Sequence, residues 1–339
     1  MIIRVSKKKA ESLKRELSKE GLIEPGVVAN DEEYVYFGVK KRLDAKLLEK
    51  YGAKYSRKKI EKKPSGIVHL EDVLKGKLTS EEMKELTRAY DVIGDIAILF
   101  IRYGVEKKEK IVAEAILKVH KNVKTVLKRV GKVVGDYRTR NVEFLAGEEK
   151  TETLYQEHGC RYLLDISKVF FTPRLATERL RVANKVKKGE TVLDMFAGVG
   201  PFTILIAKKR KVKVIAVELN PYAVEYMKKN VELNKVSELV DVRLGDAKKV
   251  CKGFKVDRIV MNLPKMAEGF LPTALGVLKP GGVVHYHVLV KEEEFDEKIE
   301  ETKSMVEASG MQFELLEWNK GRQVSPNEWI VCIDFKAKG

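Results

Sequence analysis

TVLDMFAGVGPF, residues 191–202, decides the fold: an apolar run ends in Asp194 and opens at once into a turn carrying Gly198 and Gly200. Val192 and Leu193 read as a buried strand, the glycines permit close backbone approach, and residues 201–208 read as the helix that follows. Strand, glycine turn and helix in that order are how an open α/β sheet presents a nucleotide-like ligand at the carboxyl end of a strand.

What the turn lacks narrows the ligand. A dinucleotide fingerprint needs a third glycine at G-x-G-x-x-G spacing and a phosphate loop needs Gly-Lys-Ser/Thr; neither is in this stretch. A pyrophosphate, and with it a nicotinamide dehydrogenase, is disfavoured. Downstream, residues 212–217 read as a second strand ending in Glu218, and 240–244 as a third, followed by Gly245, Asp246 and Ala247. Residues 257–261 read as a fourth running into Asn262, Leu263 and Pro264.

The 191–202 stretch resembles motif I of class I S-adenosylmethionine (SAM) methyltransferases, and the three later elements follow in that family's order. The resemblance implies SAM as cofactor, held by Asp194, Phe196, Gly198 and Gly200 of the turn, with Phe170 packing on it or in the core. It gives Glu218 the ribose hydroxyls, Asp246 the adenine amino group, and Asn262 a place beside the cofactor. Glu218 and Asp246 also suit helix caps or ion pairs, but their strand-end positions favour the cofactor.

The 339 residues carry 66 Lys and Arg against 50 Asp and Glu, a net charge of +16, and 44% are hydrophobic. A chain of this length holds two or three domains and a large core. Its charge favours a polyanionic partner, nucleic acid first, over mere solubility. Residues 1–63 alone hold 18 Lys and Arg against 10 Asp and Glu, so half the excess lies in less than a fifth of the chain. Cys160, Cys251 and Cys332 are widely spaced, and His69, His120, His158, His285 and His287 form no ligand pattern. Neither a disulfide framework nor a metal site is expected. No apolar leader opens the chain and no run approaches the roughly 18 apolar residues of a membrane span, so a cytoplasmic protein without membrane contact is expected.

Three units are expected along the chain. Residues 1–64 form a basic domain with an amphipathic helix at 8–20, a strand at 34–39 and a short helix at 43–51. Its Tyr34, Tyr36, Phe37, Tyr51 and Tyr55 suit stacking on nucleotides beside the cations, or simply form its core. Residues 67–160 form an α+β middle domain packing on the catalytic one, with a strand at 92–100, a helix at 107–120 and an apolar segment at 123–129; strands at 154–158 and 160–165 then lead into the catalytic portion. Residues 161–339 carry the doubly wound pattern, with a strand at 283–290, a helix at 295–309, and 313–318 pairing with 329–335. The fold class is α/β: a class I (Rossmann-like) SAM methyltransferase domain preceded by α+β RNA-binding domains. So self-contained a chain is expected to be a monomer.

Asn262-Leu263-Pro264 stands where N-methyltransferases of amino groups carry Asn/Asp-Pro-Pro-aromatic, but Leu263 replaces the first proline and Lys265 the aromatic. An exocyclic amine is thereby a weaker target. This loop, Arg138-Thr139-Arg140 upstream, FFTPR (170–174) running to Glu178 and Arg179, and DMFAGVGPF (194–202) together make the chain similar to the archaeal and eukaryotic tRNA (guanine(37)-N1)-methyltransferases. The similarity is strong from residue 91 onward and looser before it. It implies a tRNA partner, methylation of N1 of the guanosine at position 37, and a small first domain that inspects the tRNA elbow.

Guanine N1 carries a proton near neutral pH, so the reaction asks for a base to remove it and a donor for the charge that moves onto O6. The resemblance makes Glu178 that base, gives Arg138 and Asn262 the O6 and neighbouring edge groups, and leaves Pro264 to stiffen the loop that aims Asn262. A glutamate in so arginine-rich a helix start otherwise makes surface ion pairs. Arg140, Arg174 and Arg179 read as phosphate ligands, which position RNA without reading a base. Methyl transfer from a sulfonium is an in-line displacement that alignment accelerates, with no metal required.

Two other readings remain beside this one. A wyosine-pathway aminocarboxypropyl transferase uses SAM on a tricyclic guanosine derivative, but is not expected to keep Asn-Leu-Pro together with a base of the Glu178 type. A non-catalytic RNA-binding protein with a decayed site is opposed by the intact glycines and by Asp194, Glu218 and Asp246.

Overall fold

Alternation of Ile3 and Val5 with solvent-facing neighbours starts the first strand, and the structure, a computed structural model, describes residues 1–60, 69–86, 90–100, 104–134 and 139–339. The chain divides into two compact units, Met1–Lys75 and Gly76–Gly339. The boundary falls past the expected one at 64, and the middle and catalytic portions belong to one unit.

The first unit comprises β1 (Ile2–Ser6), α1 (Lys7–Lys19), β2 (Ile23–Asn30), β3 (Tyr34–Val39), α2 (Ala45–Tyr51), β4 (Lys54–Ser56) and α3 (Leu70–Leu74). The strands form a sheet in the order β2-β3-β1-β4. Ala10, Leu13 and Leu17 form one stripe of α1 and share a core with Ile3, Val5 and Phe37. The aromatics largely hold this unit together. Phe37 is 2% exposed, Tyr36 donates to Asp31 at 2.6 Å, Tyr51 to Glu16 at 2.5 Å, and Tyr55 accepts from the Leu43 amide at 2.7 Å. The cations sit over their faces, Arg4 5.0 Å from the Tyr34 ring centre and Lys58 4.1 Å from that of Tyr36.

The second unit begins with α4 (Ser80–Glu85), β5 (Asp91–Ile93), β6 (Ile96–Leu99), α5 (Glu109–Val119), β7 (Thr125–Val134), β8 (Thr139–Gly147), β9 (Glu152–Glu157) and β10 (Cys160–Asp165). Residues 92–100, expected as one strand, are two, because Gly94 takes φ +58° and turns the chain between them. Strands β5 to β8 form a sheet in chain order.

Then follow α6 (Ala176–Lys185), β11 (Thr191–Asp194), α7 (Pro201–Arg210), β12 (Lys213–Glu218), α8 (Pro221–Leu233), β13 (Val240–Leu244), α9 (Ala247–Val250), β14 (Val256–Met261), α10 (Leu271–Val277), β15 (Leu278–Lys291), α11 (Phe295–Ala308), β16 (Gln312–Ser325) and β17 (Glu328–Lys338). Their sheet runs β13-β12-β11-β14-β15-β17-β16, all parallel except β17, which is antiparallel to both β15 and β16. Strand order reverses on either side of β11, so the crevice beyond β11 is where such a sheet takes its ligand.

Alternation along the strands feeds two cores. Val192 and Val260 face α6, α7 and α8, while Leu193, Ile259 and Met261 face α9, α10 and α11. Each side chain so buried contributes about 1.5–3 kcal/mol. Helix α7 is buried all round, from Phe202 to Ala207, because the β9–β10 hairpin covers its outer side: Tyr162 donates to the Pro201 carbonyl at 3.3 Å, and the Asn230 amide side chain brackets Leu163 at 2.7 and 3.0 Å.

Candidate active site

The turn after β11 is fixed by backbone bonds from both neighbouring strands. The Met195 amide donates to Val260 O at 3.1 Å and that of Ala197 to Val217 O at 2.9 Å. Gly200 caps α7 at φ +89°, and a Cβ there would lie 3.0 Å from Ile204 Cδ1 and 3.1 Å from Met227 Cγ, so this glycine serves close packing. Gly198, at φ +56°, has nothing nearer than Phe170 O at 3.9 Å from such an atom, which leaves the space above it open. Glu218 ends β12 and accepts the Gly198 amide at 2.7 Å and the Asn220 amide at 2.8 Å.

Asp194 is buried, and its Oδ2 accepts from Thr203 Oγ1 at 2.7 Å. Its Oδ1 is buried without a partner among the described residues. Burial, with help from the Glu218 charge, pushes the Asp194 carboxyl up to about 6 against the pull of Thr203, and burial also raises Glu218. Two desolvated carboxyls, an orphaned oxygen and an open glycine turn suit a cationic ligand with hydroxyls to donate, and SAM is one. Asp246 caps α9, accepting from the Lys248 amide at 2.9 Å, and keeps its place after β13. Leu219 and Leu244, next in sequence to Glu218 and Gly245, are large apolar side chains left 44% and 54% exposed at the ends of β12 and β13. Phe196 is half-buried, edge-on to Phe270 at 5.0 Å.

A second carboxylate cluster lies under α6. Arg181 grips Glu178 with two bonds, Nε to Oε2 at 2.8 Å and Nη2 to Oε1 at 2.7 Å, and also donates to Asp334 at 2.5 Å and Glu317 at 2.7 Å. His287 Nε2 donates to Glu178 Oε1 at 2.9 Å, and His285 Nδ1 to Asp334 Oδ1 at 2.7 Å. Burial works against the Glu178 charge, but Arg181 and His287 hold its carboxyl well below the usual carboxylate range. Asp334 is likewise held far down by His285 and Arg181 despite its burial. Glu178, His287 and Cys332 bring their donor atoms within 4.8 Å of one another, as do His285, Cys332 and Asp334. Cations already stand among them: Arg181, and Lys185 with its Nζ 3.8 Å from Asp334.

Strand pairing carries this cluster to the other parts of the site. Met261 pairs with Tyr286, and the Leu289 amide donates to Pro264 O at 3.2 Å, so the 262–264 loop runs alongside His287. His287 in turn meets the Phe202 ring, 5.8 Å centre to centre, at the start of α7. Glu178, the Asn262 loop and the Asp194 turn therefore share one end of the sheet. Asn262 is half-buried, and its side chain makes no hydrogen bond among the described residues.

Arg179 does not fit its expected role. It falls on the buried stripe of α6 with Val182 and Ala183 and is 2% exposed. Its guanidinium holds Glu157 at 2.8 Å, donates to Thr172 O at 2.7 Å and lies 5.0 Å over the Phe171 ring; only Nε is without a partner among the described residues, and it is enclosed, so a neutralised and buried side chain offers no surface to a phosphate. Arg174 is exposed and donates to Asp91 at 2.7 Å. Arg138 lies outside the described residues, as does the side chain of Arg140, whose backbone belongs to β8. His287, Arg181 and Asp334 were missed. Their signal was spacing: His285 and His287 alternate on one strand face, and Arg181 follows Glu178 by three positions on one helix face.

A sheet of this order, with a glycine turn after its first strand and acids closing the next two, defines a class I SAM-dependent methyltransferase fold. Residues 153–315 match the TRM5/TYW2 methyltransferase domain and residues 70–151 the TYW2 N-terminal domain. The chain is 42% identical over 253 residues to the tRNA (guanine(37)-N(1))-methyltransferase Trm5b of Pyrococcus abyssi, covering 74% of this chain and 76% of that one. It is 35% identical over 349 residues to Trm5b of Methanocaldococcus jannaschii, covering 99% and 98%. The crystal structure of Trm5b from Pyrococcus abyssi superposes with a TM-score of 0.77 at 34% identity over 100% of this chain and 99% of the other. The chain belongs to the TRM5/TYW2 family of SAM-dependent enzymes.

Proposed function

We propose that this enzyme methylates N1 of guanosine at position 37 of tRNA. The observation that carries the reading is the Glu178–His287 hydrogen bond, which ties the candidate base to the strand flanking Asn262 and thus to the cofactor end of the sheet. SAM, when bound, supplies the methyl group as a sulfonium open to in-line attack.

Asp194 and Glu218 hold that cofactor, Glu218 at the ribose and Asp246 at the adenine, and the Asp194 turn sets its approach. Glu178 takes the proton from N1. A carboxylate offers about four lone-pair sites; Arg181 and His287 use three, two on Oε1 and one on Oε2. The remaining site on Oε2 accepts N1–H while its partners keep the carboxylate aimed. So stabilised a carboxylate is a weak base, and it suffices if the proton leaves as the methyl arrives, when N1 becomes strongly acidic. Asn262, with its polar edge unspent, meets the purine edge, and Arg138 takes O6 in the role the family resemblance gives it. Arg140 and Arg174 hold backbone phosphate. The basic first unit recognises the tRNA body.

A transcript bearing guanosine at position 37 and one bearing adenosine there, each incubated with SAM and digested to nucleosides, test the proposal by mass spectrometry. N1-methylguanosine from the first and nothing from the second is expected. Residues 70–151 match a TYW2 N-terminal domain, which keeps one other reading in view: an aminocarboxypropyl adduct on a wyosine-type substrate, with no methylguanosine, would establish it.

A further inference from the structure

Arg181 links Glu178 to the interior of the sheet through both edges of its guanidinium. One edge, Nε and Nη2, grips Glu178 at 2.8 and 2.7 Å. The other, Nη1 and Nη2, grips Asp334 of β17 at 2.5 and 3.2 Å, and Nη1 also donates to Glu317 at 2.7 Å. A guanidinium is a rigid planar fork, so the edge held by Asp334 sets the angle of the edge that holds Glu178.

Asp334 is fixed in turn from the neighbouring strands. It stands opposite His285 in the β15–β17 ladder and accepts from His285 Nδ1 at 2.7 Å and from Cys332 Sγ at 3.2 Å, with Lys185 Nζ 3.8 Å away. His285 Nε2 lies 2.9 Å from Nη1 of Arg258, on β14. Arginine can only donate, so Nε2 is the acceptor, the ring proton is on Nδ1, and the neutral imidazole points that proton at Asp334. Arg258 is itself buried and held by Glu190 through two bonds at 2.7 and 2.9 Å. Glu190, Arg258, His285, Asp334, Arg181 and Glu178 thus form one hydrogen-bonded chain that crosses three adjacent strands and ends on the candidate base. A buried ionic chain often stabilises no more than apolar residues of the same volume; one that ends on a base fixes where that base points.

We infer that Asp334 and His285 are positioning residues for the methyl transfer: His285 holds Asp334, and Asp334 holds the guanidinium edge that aims Glu178 at the substrate proton. This rests on the reading of Glu178 as the base and adds two residues to it. Both are enclosed, His285 at 0% and Asp334 at 1% exposure, and act only through Arg181.

Single-turnover methylation of the guanosine-37 transcript, at saturating SAM and tRNA, tests it in the full chain. Asp334→Asn keeps the shape and removes the paired charge; it is expected to slow methylation near neutral pH by about 10²-fold, with SAM and tRNA affinities held. That deficit narrows as pH rises, because solvent base replaces a misaimed one. In a Glu178→Gln background the same substitution is expected to cost less than about twofold, since residues acting as one unit are not additive. His285→Asn keeps a donor near the Nδ1 position and is expected to stay within about threefold of wild type, while His285→Leu loses about tenfold through misalignment.

An equal loss from Asp334→Asn with and without Glu178, or a loss that tracks weaker SAM binding, would mark a merely structural role and overturn the proposal. So would His285→Leu and His285→Asn of equal activity, and those two variants decide alone if Asp334→Asn does not fold. Full activity of Glu178→Gln would instead defeat the base assignment. An impaired Glu178→Gln beside fully active Asp334→Asn and His285→Leu would defeat this inference and spare that assignment.

Discussion

Asp194 and Glu218 end two parallel strands with backbone amides and one threonine for partners, whereas Glu178 and Asp334, beneath α6, share Arg181 and each take a histidine. Burial raises the first pair, which no cation answers among the described residues; the second pair is held low because the protein has supplied its own cations. One site is electrostatically incomplete, which is why we propose that a positively charged cofactor completes it. The other is complete already and holds a carboxylate ionised and oriented.

Four outcomes would break or sharpen this contrast. Glu178→Gln is expected to lower single-turnover methylation by about 10²–10⁴-fold, with SAM affinity by calorimetry nearly unchanged; lost cofactor binding would merge the two sites. Arg181→Ala, which strands Asp334 and Glu178 without their main partner, is expected to cost about 3–5 kcal/mol of stability in denaturant unfolding.

Asp194→Asn acts oppositely. It should weaken SAM by about 1.5–3 kcal/mol while stabilising the SAM-free protein at neutral pH by about 1 kcal/mol, since a desolvated charge is removed. A lower melting temperature would contradict that reading. The smallest effect is in pH. Because the Asp194 carboxyl titrates near 6, SAM affinity should fall as pH drops through that value, approaching about tenfold per unit below it. Stability moves in both directions over the acid range. Lowering pH through 6 toward 3.8 relieves Asp194, whose folded-state affinity for the proton is raised. Glu178 and Asp334, whose carboxyls are depressed, stabilise fully above about 4.5, and that stabilisation is lost as pH falls further.

The strand and helix pattern from residue 191 onward was legible because the inner parallel strands are short apolar runs, the edge strand β13 alternates, and each ends in a polar or glycine-bearing turn. Residues 240–244 appear as β13 with the expected bounds, and 257–261 as β14 with one residue added. Gly94 escaped notice because a lone glycine in an apolar stretch marks a turn only when its backbone conformation is known. Arg179 was misjudged because charge outweighed periodicity: it belongs to the stripe that buries Val182 and Ala183, and Glu157, 22 positions away, neutralises it. The histidine and Asp334 contacts of the Glu178 cluster span 49 to 153 positions, and no local pattern encodes such pairings.

The pH dependence of methylation by wild type and Glu178→Gln on the same guanosine-37 transcript tests the central claim most directly. If Glu178 takes the N1 proton, the variant is strongly impaired near neutral pH and the gap narrows as pH rises and solvent base removes that proton instead. A variant with wild-type activity at neutral pH, or a gap of constant size across the range, would contradict the account.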